Sequence, residues 1–228
     1  MTPNFRIKRR VVLSDQVANQ LRISIRSGKL TPGKRLIEAE LANDMEVSRS
    51  AIREAIRYLE KEGLVTTVPF KGTFVTKLSE KDLEEIYLLR PELEQLAIRL
   101  LVKNLNDEKI RDLELVVEEM KRVANNPNSV SQFIEADLHF HRKICELSNN
   151  SRLLQAWLNL SFQLSAFIGT EDQLYGNEAP AQVFERHYVV FESIKKGNAD
   201  LAVRQMKKLI EFGYKNAVKH YIKTIQNA

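Results

Sequence analysis

The chain has 228 residues, 43% hydrophobic and 29% charged with a formal net charge of +5, which is typical of a soluble globular protein and excludes a largely disordered one. The single cysteine, Cys145, excludes an intramolecular disulfide and a cysteine-rich zinc site. Because no apolar run reaches about 18 residues and the first residues lack the apolar core of a signal peptide, we expect a cytoplasmic protein with no membrane partner.

Positive charge is concentrated in the first third of the chain. Residues 1–78 hold 15 Lys and Arg against 8 Asp and Glu, whereas residues 79–228 hold 20 against 22. This division favours a nucleic-acid-binding domain over 1–78 and a second domain over 79–228. A solvated basic face would give the same charge count.

The first third predicts three helices. The first runs from about Ser14 to Gly28, and a turn at 31–36 follows it. A short helix near 38–44 and a longer one from the N-cap residue Ser48 are separated by about three residues, which is a helix-turn-helix pattern.

The helix that begins after Ser48 has two faces. Its apolar residues recur on one side, and the other side carries three arginines at intervals of four, Arg49, Arg53 and Arg57, with Ser50 near the start. Hydroxyl and guanidinium groups at the N-terminal end of a helix suit contact with bases and phosphates in a major groove. An ordinary solvated helix face is the alternative.

The segment "LVTTVPFKGTFVTK" contains two β-branched-rich runs around a turn, which predicts a β-hairpin with Lys71 at its tip. Helix, helix-turn-helix and hairpin in this order predict a winged helix. Glycine at position 72 lets the backbone approach a phosphate or a minor groove closely.

The pattern "L-x-E-x-x-L-A…V-S-R-S-A-I-R-E-A-I-R-x-L-E-x-E-G-L-V…K-G-T-F-V", between Leu36 and Val75, resembles the DNA-binding domain of the GntR family of bacterial transcriptional regulators. Ala51 stands where many relatives have proline, a residue that is favoured but not required in a first helical turn. The resemblance and the arginines on the outer face of the helix together imply which residues contact DNA. We call these the DNA-contact set: Ser48, Arg49, Ser50, Arg53, Arg57, Lys71, Gly72 and Thr73.

Residues 79–228 predict a bundle of about six antiparallel helices, because apolar residues recur at helical spacing between short turns. We place these helices at roughly 80–103, 107–124, 129–148, 151–174, 180–196 and 199–224. The fold class is therefore mainly α. The pattern is similar to the ligand-binding (FCD) domain of GntR regulators that resemble the fatty-acid-responsive regulator, in the vanillate-regulator-like branch.

Four polar residues fall on faces that the helical pattern turns inward: Arg90, Asp137, His141 and His187. Unpaired, each would cost several kcal/mol when buried, so each needs a partner. Salt bridges within the bundle or at a dimer interface are one solution. A metal held by the carboxylate and the two imidazoles, with Arg90 facing a ligand carboxylate, is the other.

The resemblance favours the metal but leaves the ligand set incomplete. Asp137 and His141 match the D-x-x-x-H metal motif of the FCD subfamily, and His187 matches its next histidine. The subfamily's last histidine falls on Leu209, which cannot coordinate. One hypothesis is that the remaining three ligands hold Zn²⁺, Ni²⁺ or Mn²⁺. The alternative is that the pocket binds its effector directly, without a metal.

Three more residues are candidates for the effector pocket, although they serve equally well in helix packing: Asn150, Ser161 and Ser165. The predicted function is a ligand-responsive regulator, more readily a repressor than an activator, that binds a palindromic double-stranded operator as a homodimer and responds to a small carboxylic acid. The alternatives are a metal-dependent enzyme that uses Asp137, His141 and His187, and a structural nucleoid protein. No nucleophile–base pair or phosphate loop accompanies those three residues in the sequence.

Overall fold

The computed structural model describes residues 13–126, 130–167 and 178–226. The chain divides into two compact units, Met1–Lys77 and Leu78–Ala228. The predicted fold class is confirmed: a helix-turn-helix with a small antiparallel sheet forms the first unit, and helices form the second. None of the described helices is long and apolar enough to cross a bilayer.

The first unit contains three helices and three short strands. They are, in chain order, α1 (Leu13–Arg26), β1 (Arg35–Leu36), α2 (Glu38–Asp44), α3 (Arg49–Lys61), β2 (Val65–Val68) and β3 (Gly72–Val75). The sheet order is β1-β3-β2 and both pairings are antiparallel.

Strand β1 occupies part of the segment that the sequence predicts as a turn. Arg35 and Leu36 pair with Phe74 and Thr73 of β3, and the amide of Val75 donates to the carbonyl of Lys34 over 2.9 Å. Leu36 is buried, so the pairing adds an apolar side chain to the core of the unit. Two residues are too few for an alternation pattern, which is why the sequence did not reveal this strand.

Helix α3 is amphipathic, as the sequence predicts. Ile52, Ala55 and Leu59 are completely buried. The Ser48 side chain caps the helix by accepting a hydrogen bond from the amide of Ala51 over 3.2 Å. The opposite face, with its arginines, is exposed.

The second unit contains six described helices. They are α4 (Glu80–Lys103), α5 (Asp107–Ala124), α6 (Val130–Leu147), α7 (Ser151–Phe167), α8 (Pro180–Lys195) and α9 (Ala199–Gln226). Their ends lie within two residues of the predicted ends, except for the fourth predicted helix, whose part beyond residue 167 lies outside the described residues.

Helix α4 occupies a central position in this bundle, because it packs against α6, α7 and α9. Leu83 and Ile98 of α4, Phe133 and Phe140 of α6 and Trp157 of α7 are almost completely buried and belong to one apolar core. Polar side chains on the inward faces of α4, α6 and α8 therefore lie among core residues, where each needs a polar partner.

Candidate functional site

Asp137, His141 and His187 form a buried cluster in the second unit. Asp137 and His141 are one turn apart on α6, and α8 supplies His187. One possible ligand atom from each lies within 4.8 Å of the others. A carboxylate and two imidazoles are the donor set of many Zn²⁺, Ni²⁺ and Mn²⁺ sites.

Both imidazoles are oriented through Nδ1. Nδ1 of His141 donates to Oε2 of Glu94 over 2.5 Å, and Nδ1 of His187 donates to the carbonyl oxygen of Val183 over 2.9 Å. A neutral ring that donates through Nδ1 has a lone pair on Nε2. This outer bonding is what usually orients histidines that ligate metals.

His187 and Asp137 lie close together without a hydrogen bond. Nε2 of His187 is 2.9 Å from Oδ1 of Asp137, yet it has no hydrogen-bond partner among the described residues. A neutral ring would place its Nε2 lone pair against the buried carboxylate, which is unfavourable unless a second proton on the ring or a metal cation beside both atoms supplies positive charge. The three residues therefore fit a divalent metal ion, which supplies that charge.

Glu94 of α4 supports the cluster and accepts three hydrogen bonds. Its Oε1 accepts from Nε of Arg90 over 2.7 Å and from the indole nitrogen of Trp157 over 2.8 Å, and its Oε2 accepts from His141. Burial raises the pKa of Glu94, but the positive charges of Arg90 and of His141, which is protonated at low pH, outweigh burial together with the hydrogen bonds that Glu94 accepts and lower this pKa to about 2. Glu94 is thus an ionised carboxylate with 0% exposure.

The pKa values of Asp137 and His141 are also shifted by their surroundings in this site. Burial raises the pKa of Asp137, but its two histidine neighbours and Arg90 outweigh burial, so this pKa lies below its usual value. Burial lowers the pKa of His141 more than Glu94 raises it. Asp137 is therefore ionised and His141 neutral near pH 7, the forms in which both bind metals.

The cluster faces a cavity of about 30 Å³, close to the volume of one water molecule. Its lining includes the three cluster residues with Tyr87, Arg90, Val183, Leu209, Ile210, Phe212 and Gly213. Leu209 lies where the resemblance predicts the missing histidine. Burial raises the pKa of Tyr87 to about 12, so its hydroxyl keeps its proton, and that hydroxyl has no hydrogen-bond partner among the described residues.

The other three predicted effector residues are not among those that line the cavity. Asn150 caps α7 by accepting from the amide of Leu153 over 3.1 Å, and Ser161 is half-buried on α7. The side chain of Ser165 lies outside the described residues. Their role in effector binding stays a prediction.

Sequence reasoning did not include Glu94 and Tyr87 in the site. Glu94 follows Arg90 by four residues, a spacing that also describes an exposed ion pair on a helix. The signal for its burial is that position 94 shares the inward face of α4 with Leu83, Ala97 and Leu101. Arg90 therefore has an internal salt bridge, as one of the two predicted solutions requires.

In the first unit, the predicted DNA-contact residues of α3 lie on its exposed face. Arg49, Arg53 and Arg57 are all exposed. Nη2 of Arg53 donates to Oε2 of Glu38 on α2 over 2.9 Å, which holds its guanidinium against the preceding helix. The hydroxyls of Ser48 and Ser50 lie 2.8 Å apart.

The hairpin carries the remaining predicted contacts. Lys71 is exposed near the tip, and Gly72 has a φ of 113°, in the region that favours glycine. A Cβ at Gly72 would lie 2.9 Å from Nε of Arg35, so the glycine also makes room for this arginine of β1. The Thr73 side chain is buried, and its hydroxyl lies 3.2 Å from the hydroxyl of Thr67 on β2. The Thr73 hydroxyl therefore has a hydrogen-bond partner within the sheet.

Comparison with known proteins gives two family matches. The model for bacterial regulatory proteins of the gntR family matches residues 13–75, and the FCD domain model matches residues 85–212. The HTH-type transcriptional regulator YdhC of Bacillus subtilis (strain 168), itself uncharacterised, is 35% identical over 82% of this chain and 83% of its own length. The gluconate operon transcriptional repressor of Bacillus licheniformis is 31% identical over 84% of this chain and 79% of its own.

A solved structure shares the fold. The structure of E. coli McbR/YncC has a TM-score of 0.80 and covers 93% of this chain and 100% of its own, at 23% identity. At this identity the likeness concerns the fold alone.

Proposed function

Since this chain belongs to the GntR family of bacterial transcriptional regulators and carries an FCD domain, we propose that it is a repressor that releases its operator when a small carboxylic acid binds the helical unit. The family consists of DNA-binding regulators, so the enzyme alternative does not apply. GntR regulators bind DNA operators and FCD domains bind small-molecule effectors. Because its target is the chromosome, we place this regulator in the bacterial cytoplasm.

The observation that carries the proposal is Nε2 of His187, which is buried and has no hydrogen-bond partner among the described residues, beside a cavity that Asp137 and His141 also line. With Asp137 and His141 it would hold one Zn²⁺, Ni²⁺ or Mn²⁺ ion. Such an ion has coordination positions left for an oxygen of the effector when only three protein ligands are present. Glu94 and Val183 keep both imidazoles in the orientation that this requires.

Arg90 is the residue that we assign to the effector's carboxylate. Its Nε is committed to Glu94, and no hydrogen bond of its two terminal nitrogens is found among the described residues. Desolvation lowers the pKa of Arg90, but the adjacent Glu94 carboxylate raises it by more, so the guanidinium stays charged. A planar guanidinium edge binds a carboxylate with two parallel hydrogen bonds.

The size of the cavity suggests how binding would be transmitted. About 30 Å³ has room for a water molecule or an ion but not for an organic acid. The effector would therefore displace Leu209, Ile210 and Phe212, which α9 contributes to the lining. Helix α9 packs along α4, so its movement would shift the population of bundle conformations.

We further propose that the chain is a homodimer through α4. Leu89, Leu93, Leu96 and Leu100 follow one another at intervals of four, three and four residues, which places them in one stripe along the helix. Leu89 is 56% and Leu96 46% exposed, and the other two are half-buried. A leucine stripe of this spacing whose members Leu89 and Leu96 are exposed is typical of a helix–helix interface.

The charges beside the stripe suit an antiparallel copy of the same helix. When Leu89 faces Leu100 of a second copy, Glu92 lies opposite Arg99 of that copy, and the two-fold axis repeats the pair. Arg99 is half exposed and pairs with Asp200 over 2.8 Å. A two-fold protein matches a palindromic operator, because each winged helix then reads one half-site.

The proposal is tested with a labelled operator duplex selected from a random pool by the protein. Fluorescence anisotropy then follows release as a panel of mono-, di- and hydroxycarboxylic acids is added. We expect at least one acid to release the duplex from the wild type and not from the Arg90→Lys variant, which keeps a charge beside Glu94 but lacks the planar fork. Equal release from both would contradict the role of Arg90.

A further inference from the structure

Phe70 lies at the tip of the β2–β3 hairpin, where both its exposure and its backbone conformation are unusual for phenylalanine. Its side chain is 110% exposed, so it contributes no contact to the core of its unit. Its φ is +64°, in the left-handed region where a residue with a Cβ is strained and where glycine is normally found. The chain thus places a large aromatic side chain where neither burial nor backbone preference favours it.

The turn itself does not require an aromatic residue. Residues 69–71 link Val68 to Gly72, and the amide of Lys71 closes the turn by donating to the carbonyl of Val68 over 3.0 Å. These are backbone interactions that a glycine at position 70 would make with less strain. Strained backbone that gives no stability in return is found preferentially at functional sites.

The surroundings of Phe70 are positively charged. Lys71 follows it, and the Arg35 guanidinium lies beside the Cα of Gly72, two residues further along the turn. An exposed aromatic ring with two cations nearby in the same hairpin region is complementary to nucleic acid, since the cations neutralise phosphates and the ring stacks on bases. The hairpin follows the DNA-reading helix α3 directly, so duplex DNA is the partner within its reach.

We propose that Phe70 is a wedge that enters the minor groove beside each operator half-site and partly unstacks one base step. Lys71 and Arg35 contact phosphates next to the wedge. Apolar side chains inserted in this way kink the duplex, and pyrimidine–purine steps yield most easily. The operator is therefore expected to carry such a step at a fixed distance from the bases read by α3.

The test compares Phe70→Gly, Phe70→Trp and Lys71→Ala with the wild type on the duplex that the wild-type protein selects from a random pool. Affinity is measured over a range of salt concentrations, the bend by circular permutation, and unstacking by a fluorescent adenine analogue at the predicted step. Thermal unfolding of each variant reports whether the fold is intact. Ile23→Ala, which truncates another exposed apolar residue of this unit, is the matched control.

We expect Phe70→Gly to keep or raise the unfolding temperature because it relieves the left-handed strain, while it loses about tenfold in affinity, the bend and the fluorescence change. Phe70→Trp should keep all three DNA readouts. Lys71→Ala should reduce the salt dependence by about one unit, whereas Phe70→Gly leaves it unchanged. The proposed insertion of Phe70 is contradicted if Phe70→Gly binds and bends the duplex as the wild type does. It is also contradicted if this variant loses affinity while the bend and the fluorescence change persist.

Discussion

Nε2 of His187 lies 2.9 Å from Oδ1 of Asp137, and no hydrogen bond joins the two atoms. Nδ1 of the same ring donates to the carbonyl of Val183 over 2.9 Å. When the ring is neutral, this short distance brings its Nε2 lone pair against the Asp137 carboxylate. A divalent cation within reach of both, and of His141, converts this repulsion into coordination.

Replacing Leu209 by histidine is predicted to strengthen metal binding. Leu209 lines the cavity that the three candidate ligands face, so an imidazole there supplies a fourth ligand. Isothermal titration with Zn²⁺ should show an affinity higher by about tenfold or more than that of the wild type. Leu209→Phe, which changes the shape of the same side chain without adding a donor, is the control and should not bind more tightly.

Replacing Glu94 by glutamine is predicted to destabilise the second unit by about 3–5 kcal/mol, because it leaves the Arg90 charge buried without its counter-ion. Trp157→Phe removes only one of the hydrogen bonds to Glu94 and should cost about 1–3 kcal/mol. Urea unfolding followed by circular dichroism measures both. A loss for Glu94→Gln no larger than that for Trp157→Phe would show that Glu94 is not the centre of this network.

The double variant Arg90→Met with Glu94→Leu separates stability from function. It removes both charges at once and so avoids the unpaired charge of Glu94→Gln, but Trp157 and His141 lose their acceptor, so its stability should recover only part of that loss. Release of the operator by carboxylic acids should nevertheless be abolished, since the guanidinium is gone. Intact release from a stably folded double variant would mean that another residue receives the carboxylate.

Arg53→Ala is predicted to weaken operator binding by about 5- to 150-fold, the range for loss of one good base contact. Arg53 is exposed on α3 and paired with Glu38 in the free protein. Arg122→Ala is a matched control, because Arg122 is an exposed arginine paired with Glu119 on α5 of the other unit. Anisotropy titrations that show equal affinity for both variants would remove Arg53 from the DNA-contact set.

Leu89→Asp with Leu96→Asp is predicted to convert the dimer to a monomer, because two charges then lie in the proposed interface. Light scattering should give about the chain mass of 26.3 kDa for this variant and about twice that mass for the wild type. Leu115→Asp is the control, since Leu115 is 65% exposed on α5, outside the stripe.

Charge reversal tests the orientation of the same interface. Glu92→Arg or Arg99→Glu alone should weaken the dimer by placing like charges opposite each other, and the two together should restore it. A wild type that is monomeric would contradict the homodimer itself. A wild-type dimer that survives the aspartate substitutions would contradict only its placement on α4.

The features of the fold and of the site that depend on the local spacing of residues could be predicted from the sequence. Asp137 and His141 share a face because four residues make about one helical turn, and Leu209 could be placed at the cavity by counting along a resemblance. Glu94 could not be assigned in this way, because its burial depends on His141 and Trp157, which lie 47 and 63 residues away along the chain. The state of Phe70 depends on a left-handed φ that residue type alone disfavours.

The metal content of untagged protein tests the central claim most directly. The wild type and an Asp137→Ala, His187→Ala double variant are purified in parallel without chelator. Inductively coupled plasma mass spectrometry then measures the metal content of each protein. We predict about one transition-metal ion per chain in the wild type and little in the variant, with a lower unfolding temperature after the wild type is treated with chelator. Equal metal content in the two proteins, or a wild type that neither contains nor takes up metal, would contradict the claim.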